Sequence, residues 1–148
     1  VGQNSLSGTL PTEFGQLTNL TTLGLDENKI FGTLPTELGK LTGLQQFFAS
    51  SNNFIGTMPT ELGRLTDLQF LHASDNRFNG TIPTEFGGLT FLQYFNVGAN
   101  FLTGKIPTEV GQLIGMAIFG VHNNLLIGTL PSELGKVSTL QVFLVDNS

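Results

Sequence analysis

The sequence predicts an α/β solenoid, in which about six stacked coils repeat one unit of 24 residues. One spacing runs through the 148-residue chain without an insertion, and columns of asparagine, proline and glycine keep it. The first two columns are Asn4, Asn28, Asn52, Asn76, Asn100 and Asn124, and Pro11, Pro35, Pro59, Pro83, Pro107 and Pro131. A fixed period of roughly 20–50 residues is the sequence signature of repeat architectures. The repeated unit therefore determines the fold.

A short strand opens the unit. Leu23 and Leu25 alternate with Thr22, Gly24 and Asp26, a pattern that points two side chains inward and three outward. The same inward positions in the later repeats hold Phe47 and Ala49, Leu71 and Ala73, Phe95 and Val97, Phe119 and Val121, and Phe143 and Val145.

A helical turn is expected after each proline. In "TELGKL", Thr36 is a candidate helix cap and Glu37 lies in the first turn, where the positive end of a helix favours an acid. Gly39 limits the helix, so we expect one or two turns of α-helix or 3₁₀-helix.

The asparagine column lies where each strand ends. A buried side-chain amide at this point would bond the backbone of its own coil and of the neighbouring coil, and the column would form a ladder. We therefore expect these asparagines to have a structural role.

The segment "LTTLGLDENKI" matches the pattern L-x-x-L-x-L-x-x-N-x-L, and "FGTLPTELGKLTG" contains an L-x-G-x-I-P type segment. Both resemble the leucine-rich repeat of the plant-type 24-residue class, over essentially the whole chain. The resemblance implies a right-handed solenoid, with one short strand per repeat in a concave parallel sheet and short helical turns on the convex side. Residues 1–148 would form a single domain.

Composition argues against several functions. The net charge of −5 comes largely from one repeated glutamate, whereas nucleic-acid binding needs a basic patch. The chain has no cysteine. No apolar run approaches the roughly 18 residues of a membrane-spanning helix, so direct membrane insertion is not expected. His72 and His122 lie two strands apart, about 10 Å, which is too far to share a metal ion.

No cofactor site and no catalytic constellation were found. Asp75 lies near His72, but no serine, cysteine or oxyanion-forming motif is apparent beside them. We expect a protein that is not an enzyme.

Outward strand positions that differ between repeats are the candidate binding site. They place an apolar, partly aromatic patch on the concave sheet, flanked by the acids Asp26, Glu27, Asp75 and Asp146. The predicted partner-binding residues are Phe48, Phe70, His72, Tyr94, Asn96, Ile118, Val142 and Leu144. An exposed patch of this kind often marks a binding site, although the β-propensity of these residues or a covering neighbour domain would also account for it.

Two further columns are weaker candidates. Phe31, Ile55 and Ile127 precede the glycine of their repeats and would form a side contact or pack against the next coil. A threonine column comprises Thr9, Thr33, Thr57, Thr81 and Thr129, and Lys105 interrupts it. A regular threonine file resembles the surfaces of ice-binding proteins.

The expected function is recognition of a protein, peptide or glycan on the concave face. By resemblance, the chain would belong to a larger secreted or cell-surface protein. The alternatives are a structural or ice-binding solenoid and a permanent subunit of a larger assembly. Asn19 and Asn79 lie in formal glycosylation sequons, which are also expected by chance.

The ends predict a fragment. Val1 aligns with Leu25 and Ser148 with Asn124, so the sequence starts and stops within a repeat and lacks the caps of natural solenoids. Uncapped ends would favour end-to-end contacts.

Overall fold

A computed structural model describes residues 4–146. The expectation about the two ends depends on Val1 and Ser148, which lie outside these residues. The strands are β1 (Ser7–Thr9), β2 (Thr22–Gly24), β3 (Lys29–Gly32), β4 (Gln46–Phe48), β5 (Asn53–Thr57), β6 (Phe70–His72), β7 (Arg77–Asn79), β8 (Tyr94–Asn96), β9 (Thr103–Gly104), β10 (Ile118–Gly120), β11 (Leu125–Leu126) and β12 (Val142–Leu144). Within residues 4–146, each odd-numbered strand is followed by a 3₁₀ helix and then by the next even-numbered strand. The six helices are Thr12–Gln16, Thr36–Lys40, Thr60–Arg64, Thr84–Gly88, Thr108–Gln112 and Ser132–Lys136.

The even-numbered strands β2 to β12 form one parallel six-stranded sheet, with the order β12-β10-β8-β6-β4-β2. Each residue pairs with its equivalent 24 positions away, as Phe47 pairs with Leu71 and Leu71 with Phe95. Equivalent side chains therefore stand in straight columns, about 4.8 Å apart. This sheet is the one that the sequence predicts.

A second parallel sheet was not predicted, because the resemblance implied one strand per repeat. Strands β1, β3, β5 and β7 form a four-stranded sheet, and β9 pairs with β11 in a separate two-stranded sheet. Backbone bonds from the N–H groups of Phe101 and Thr103 to the carbonyls of Phe78 and Gly80 join the two, so we treat them as one second sheet. Here the pairing step is 22 residues, as in Ser7 with Lys29 and Ile55 with Arg77.

That two-residue offset shows how the solenoid curves. In the second sheet, the residue 24 positions further on lies two residues beyond the paired residue, which is about 6.6 Å along the strand. Because the strands are also about 4.8 Å apart, equivalent residues are about 8 Å apart in this sheet. The step from repeat to repeat is therefore shorter in the six-stranded sheet. The solenoid must curve around that sheet, which we call the concave sheet.

The 3₁₀ helices confirm the expected short helical turns, but the predicted cap was wrong. Each helix follows a proline in extended conformation, such as Pro35 with φ −64° and ψ 136°, and no side chain caps it. Thr36 is instead the first helical residue, and its hydroxyl lies 3.4 Å from the Glu37 carboxylate. Proline is the residue at the N-cap position and has no side-chain oxygen to accept the first helical N–H groups, so no side-chain cap forms.

One apolar core runs the length of the solenoid. Leu41, Leu65 and Leu89 are completely buried, and so are the phenylalanines Phe54 and Phe78. The rings of Phe54 and Phe78 stack at 5.9 Å between centroids, one repeat above the other. Packing between repeats therefore continues through the aromatic residues as well as the leucines.

The asparagine ladder is present as predicted. Asn52, Asn76, Asn100 and Asn124 are buried, and each amide bonds backbone carbonyls of its own repeat and of the preceding one. Among residues 4–146, no helix is long and apolar enough to cross a membrane.

Candidate ligand-binding surface

The concave sheet brings the predicted partner-binding residues onto one face. Straight pairing places Phe70 next to Tyr94, His72 next to Asn96, and Phe48 next to His72. Ile118 follows Tyr94 in the same column. The sequence columns thus correspond to physical rows of side chains.

We call four of these residues the concave cluster: Phe48, Phe70, His72 and Tyr94. The Phe70 and Tyr94 rings stack at 6.2 Å with an interplanar angle of 27°. The His72 ring meets Tyr94 edge-on at 5.6 Å and 78°. All four residues are half-buried. They present a continuous, preorganised aromatic surface of the type that anchors protein ligands.

The carboxyl-terminal part of the patch is more open. Val142 and Leu144, on the last described strand, are 37% and 39% exposed. Asn96 is already engaged, because its amide donates to the Tyr94 hydroxyl at 3.3 Å and its oxygen accepts from the Gly98 N–H at 2.9 Å. Asn96 therefore helps to shape this surface, and these two bonds leave one amide N–H and one acceptor position of its side chain for a ligand.

Two glycines shape the same region, and the sequence argument missed them. A methyl group added at Gly98 would overlap the imidazole ring of His122 in the next repeat. One added at Gly120 would lie 2.9 Å from the Asn96 side-chain oxygen. Each glycine thus makes room for a polar side chain from an adjacent repeat. The available signal was a glycine at an outward strand position next to a larger polar residue in the same column, Gly98 before His122 and Gly120 after Asn96.

His72 belongs to a hydrogen-bonded chain that includes a serine, which corrects the expectation that none accompanies it. His72 Nε2 lies 3.0 Å from Ser74 Oγ, and Ser74 donates its hydroxyl proton to Asp75 Oδ2 at 2.8 Å. A serine nucleophile must give its proton to the histidine. Here Ser74 directs its proton at the Asp75 carboxylate and not at His72. This order of hydrogen bonds is not the one that activates a serine nucleophile.

The concave sheet carries acids and no Lys or Arg at the outward positions of residues 22–146. Asp26 accepts two bonds at 2.7 Å, from the Ser50 N–H and the Ser50 hydroxyl. Glu27 and Asp75 are exposed in the turns that leave β2 and β6. Within residues 4–146, no three His, Asp or Glu side chains come together as a metal site.

The threonine column follows the second sheet, away from the concave cluster: Thr9 and Thr57 end strands β1 and β5, and the other three threonines lie just beyond strands of that sheet. All five threonines are exposed, yet their methyl groups have a packing role. The Thr33 methyl lies over Gly56, and the Thr57 methyl lies over Gly80, where an added side-chain carbon would be 2.7 Å away. These glycines have positive φ, +78° and +73°, so both conformation and space require glycine there.

Bulky neighbours separate the threonines. Thr9 pairs with Phe31, and Thr57 pairs with Asn79. Phe31 and Ile55 of the second variable column are 51% and 47% exposed, so they do not tuck against the next coil. The face is thus a mosaic of threonine and apolar residues.

Comparison with known proteins places this geometry in a family. The family model described as Leucine Rich Repeat matches residues 19–41 and 67–89. A comparison with curated protein sequences gave no significant match.

Solved structures resemble nearly the whole chain. The plant peptide hormone receptor RGFR1, in complex with RGF2, is 35% identical with a TM-score of 0.95, and the match covers 97% of this chain and 23% of the receptor. The BIR2 ectodomain from Arabidopsis thaliana is 31% identical with a TM-score of 0.77, over 88% of this chain and 68% of the ectodomain. A plant ice-binding protein is 29% identical with a TM-score of 0.86, over 97% of this chain and 46% of that protein.

The chain spans only 18% to 24% of the length of three receptor structures that it resembles. The 24-residue period, the two parallel sheets, the asparagine ladder and these likenesses agree with one another. The chain belongs to the leucine-rich-repeat family and has the plant-type repeat.

Proposed function

We propose that this chain is a recognition module that binds an extended peptide or protein segment on its concave sheet, within a larger secreted or cell-surface protein. The observation that carries the proposal is the concave cluster, in which Phe70 stacks on Tyr94 and His72 meets Tyr94 edge-on. Ordered aromatic side chains supply contact area at low entropic cost on binding. The likeness to a plant peptide hormone receptor supports a peptide over a glycan.

The acidic groups near the concave sheet limit the charge of the ligand that can bind there. Asp26, Glu27 and Asp75 lie at one end of the concave strands, and no Lys or Arg faces them from this sheet. A ligand with a carboxylate or sulfate at this end would bury its charge without a partner, which is costly. The expected ligand is neutral or cationic and has apolar side chains for the concave cluster.

The proposal is tested with a displayed library of random dodecapeptides, selected in parallel on the wild-type chain and on the Phe70→Ala/Tyr94→Ala variant. The expected result is a peptide family enriched on the wild type and absent from the variant. Phe91→Ala is the matched control, because Phe91 is 63% exposed outside the concave sheet. Equal enrichment on the wild type and the double variant would remove the concave cluster from the account.

Ice binding is the second candidate, because a plant ice-binding protein shares the fold over 97% of this chain and the threonine column is present. Thr57→Val removes one hydroxyl and keeps the methyl that packs on Gly80. Thr57→Lys places a longer, charged side chain on this exposed face, so the face is no longer flat. Ice recrystallisation inhibition by the wild type, lost in Thr57→Lys, would favour this function. No inhibition by the wild type would eliminate it.

A further inference from the structure

The outer face of the second sheet is a separate surface, which we call the flank face. It consists of the outward side chains at every second position of these strands and the residues that flank them. These residues form three columns. The first contains Ser5, Lys29, Asn53, Arg77, Phe101 and Leu125, and the second contains Ser7, Phe31, Ile55, Asn79, Thr103 and Ile127. The third contains Thr9, Thr33, Thr57, Thr81, Lys105 and Thr129. All but the half-buried Asn53 are exposed.

Large apolar side chains stand out from this face. Phe31, Ile55 and Phe101 are 51%, 47% and 52% exposed. Each lies within the array, with a bonded neighbour segment on both sides, so a missing repeat does not explain the exposure. Leu125 and Ile127 extend the apolar surface toward the carboxyl end. The concave-cluster residues are half-buried and so less exposed than these, although the sequence predicts the cluster as the binding site.

Positive charge is interspersed with the apolar groups. Lys29, Arg77 and Lys105 are exposed on the flank face, and its three columns contain no Asp or Glu. Arg77 pairs directly with Ile55, and the Lys105 stem lies over Gly128, next to Ile127. The sign is opposite to the net charge of −5 and to the acids near the concave sheet. The nearest acids along the chain, Glu27 and Asp75, lie in turns at the border between the two sheets.

We propose that the flank face binds an acidic protein segment with aliphatic or aromatic side chains, independently of the concave sheet. Carboxylates of the partner would face Lys29, Arg77 and Lys105, while its apolar groups cover Phe31, Ile55 and Phe101. The polar residues Asn53, Asn79 and Thr103 lie between the apolar side chains. A lipid surface would bury these groups without hydrogen bonds, whereas a peptide backbone supplies donors and acceptors, so the occupant is a protein segment.

The test selects peptides from the same dodecapeptide library on the wild-type chain. Each selected peptide is then measured for binding to the Ile55→Ser/Ile127→Ser variant, and the peptides that bind this variant more weakly are kept. Both residues are exposed, so the variant should fold, and thermal unfolding checks this. We expect peptides that are rich in Asp or Glu and contain Leu, Ile or Phe, and that bind Ile55→Ser/Ile127→Ser at least tenfold more weakly. Arg77→Glu should weaken them further than Arg77→Gln, and Phe70→Ala/Tyr94→Ala should leave them unchanged.

Three results would overturn the proposal. One is that no selected peptide depends on Ile55 and Ile127. Another is that dependent peptides show no excess of acid. The third is binding to vesicles of phosphatidylcholine with phosphatidylserine that is lost in Ile55→Ser/Ile127→Ser, which would make the occupant a membrane. None of these results bears on binding at the concave cluster.

Discussion

The side-chain oxygen of Asn76 accepts the backbone N–H of Phe54 at 3.0 Å, which joins the strand end of one repeat to the second strand of the repeat before it. The Asn76 amide donates to the Ala49 carbonyl at 2.8 Å, also in the preceding repeat. One side chain thus satisfies donors and acceptors that neither parallel sheet reaches. The ladder fixes the two sheets relative to each other, and both candidate surfaces depend on it.

Asn76→Ala should lower the free energy of unfolding by about 1–3 kcal/mol, because it leaves the Phe54 N–H buried without its partner and the Ala49 carbonyl with only a long bond of 3.4 Å from Asn52. Urea denaturation monitored by circular dichroism measures the change. Asn79→Ala is the control: Asn79 is exposed on β7, and its loss should change stability by less than about 0.5 kcal/mol. Equal effects from the two substitutions would show that the ladder bonds do not stabilise the array.

Gly63→Ala should destabilise the solenoid by about 1–3 kcal/mol through overpacking. A side-chain carbon at Gly63 would lie 2.6 Å from the Glu85 carbonyl oxygen, in the backbone of the next 3₁₀ helix, which has no rotamer by which to move away. Gly43→Ala is the matched control, since nothing lies within 4 Å of an added carbon there. Chemical denaturation of both variants compares them, and a neutral Gly63→Ala would mean that the convex turns are further apart than described.

Ala99→Gly should raise stability by about 0.5–1 kcal/mol. Ala99 has φ 51°, a left-handed conformation that costs an alanine more than a glycine. Ala117→Gly, at a residue of ordinary φ, should have the opposite sign because it only adds freedom to the unfolded chain. Thermal unfolding of the two variants at one scan rate tests the difference, and destabilisation of similar size in both would contradict it.

Gly98→Ala should change the concave surface more than it changes stability. The added methyl displaces the His122 ring, whose Nδ1 is buried without a hydrogen-bond partner, and a displaced ring has no bond to lose at that atom. Nuclear magnetic resonance should show shifts of the His122 ring signals with an unfolding midpoint close to that of the wild type. Gly43→Ala serves again as the control, and unshifted His122 signals in Gly98→Ala would be the contrary result.

The concave sheet was predictable from sequence because an uninterrupted 24-residue period makes the columns of one strand the neighbours of the next. The burial of Asn76 was predictable for the same reason. The second sheet was harder to predict, because β3 and its equivalents pair with residues 22 positions away. The columns of the sequence repeat every 24 positions, so they do not show this pairing. The exposure of Phe31 and Ile55 depends on that step, so the sequence could name these residues without deciding between packing and exposure.

Some side-chain contacts were also missed. Ser74 bridges His72 and Asp75, so three near-consecutive residues form one hydrogen-bonded chain beside a turn with φ 55° at Asp75. Gly98 and His122 occupy the same column one repeat apart, and the His122 ring lies over Gly98. Residue types compared along a column do not show which way a side chain leans, so the sequence shows neither relationship.

The measurement that tests the central claim most directly is the calorimetric Kd of the strongest dodecapeptide selected on the wild-type chain and lost on Phe70→Ala/Tyr94→Ala. It should be compared among the wild type, Phe70→Ala alone, Tyr94→Ala alone and Ile55→Ser/Ile127→Ser. The account predicts that each aromatic truncation weakens binding at least tenfold, because each removes half of the Phe70–Tyr94 stack. It also predicts that the flank substitutions leave Kd unchanged. A Kd that responds to the flank substitutions and not to the loss of Phe70 or Tyr94 would contradict it.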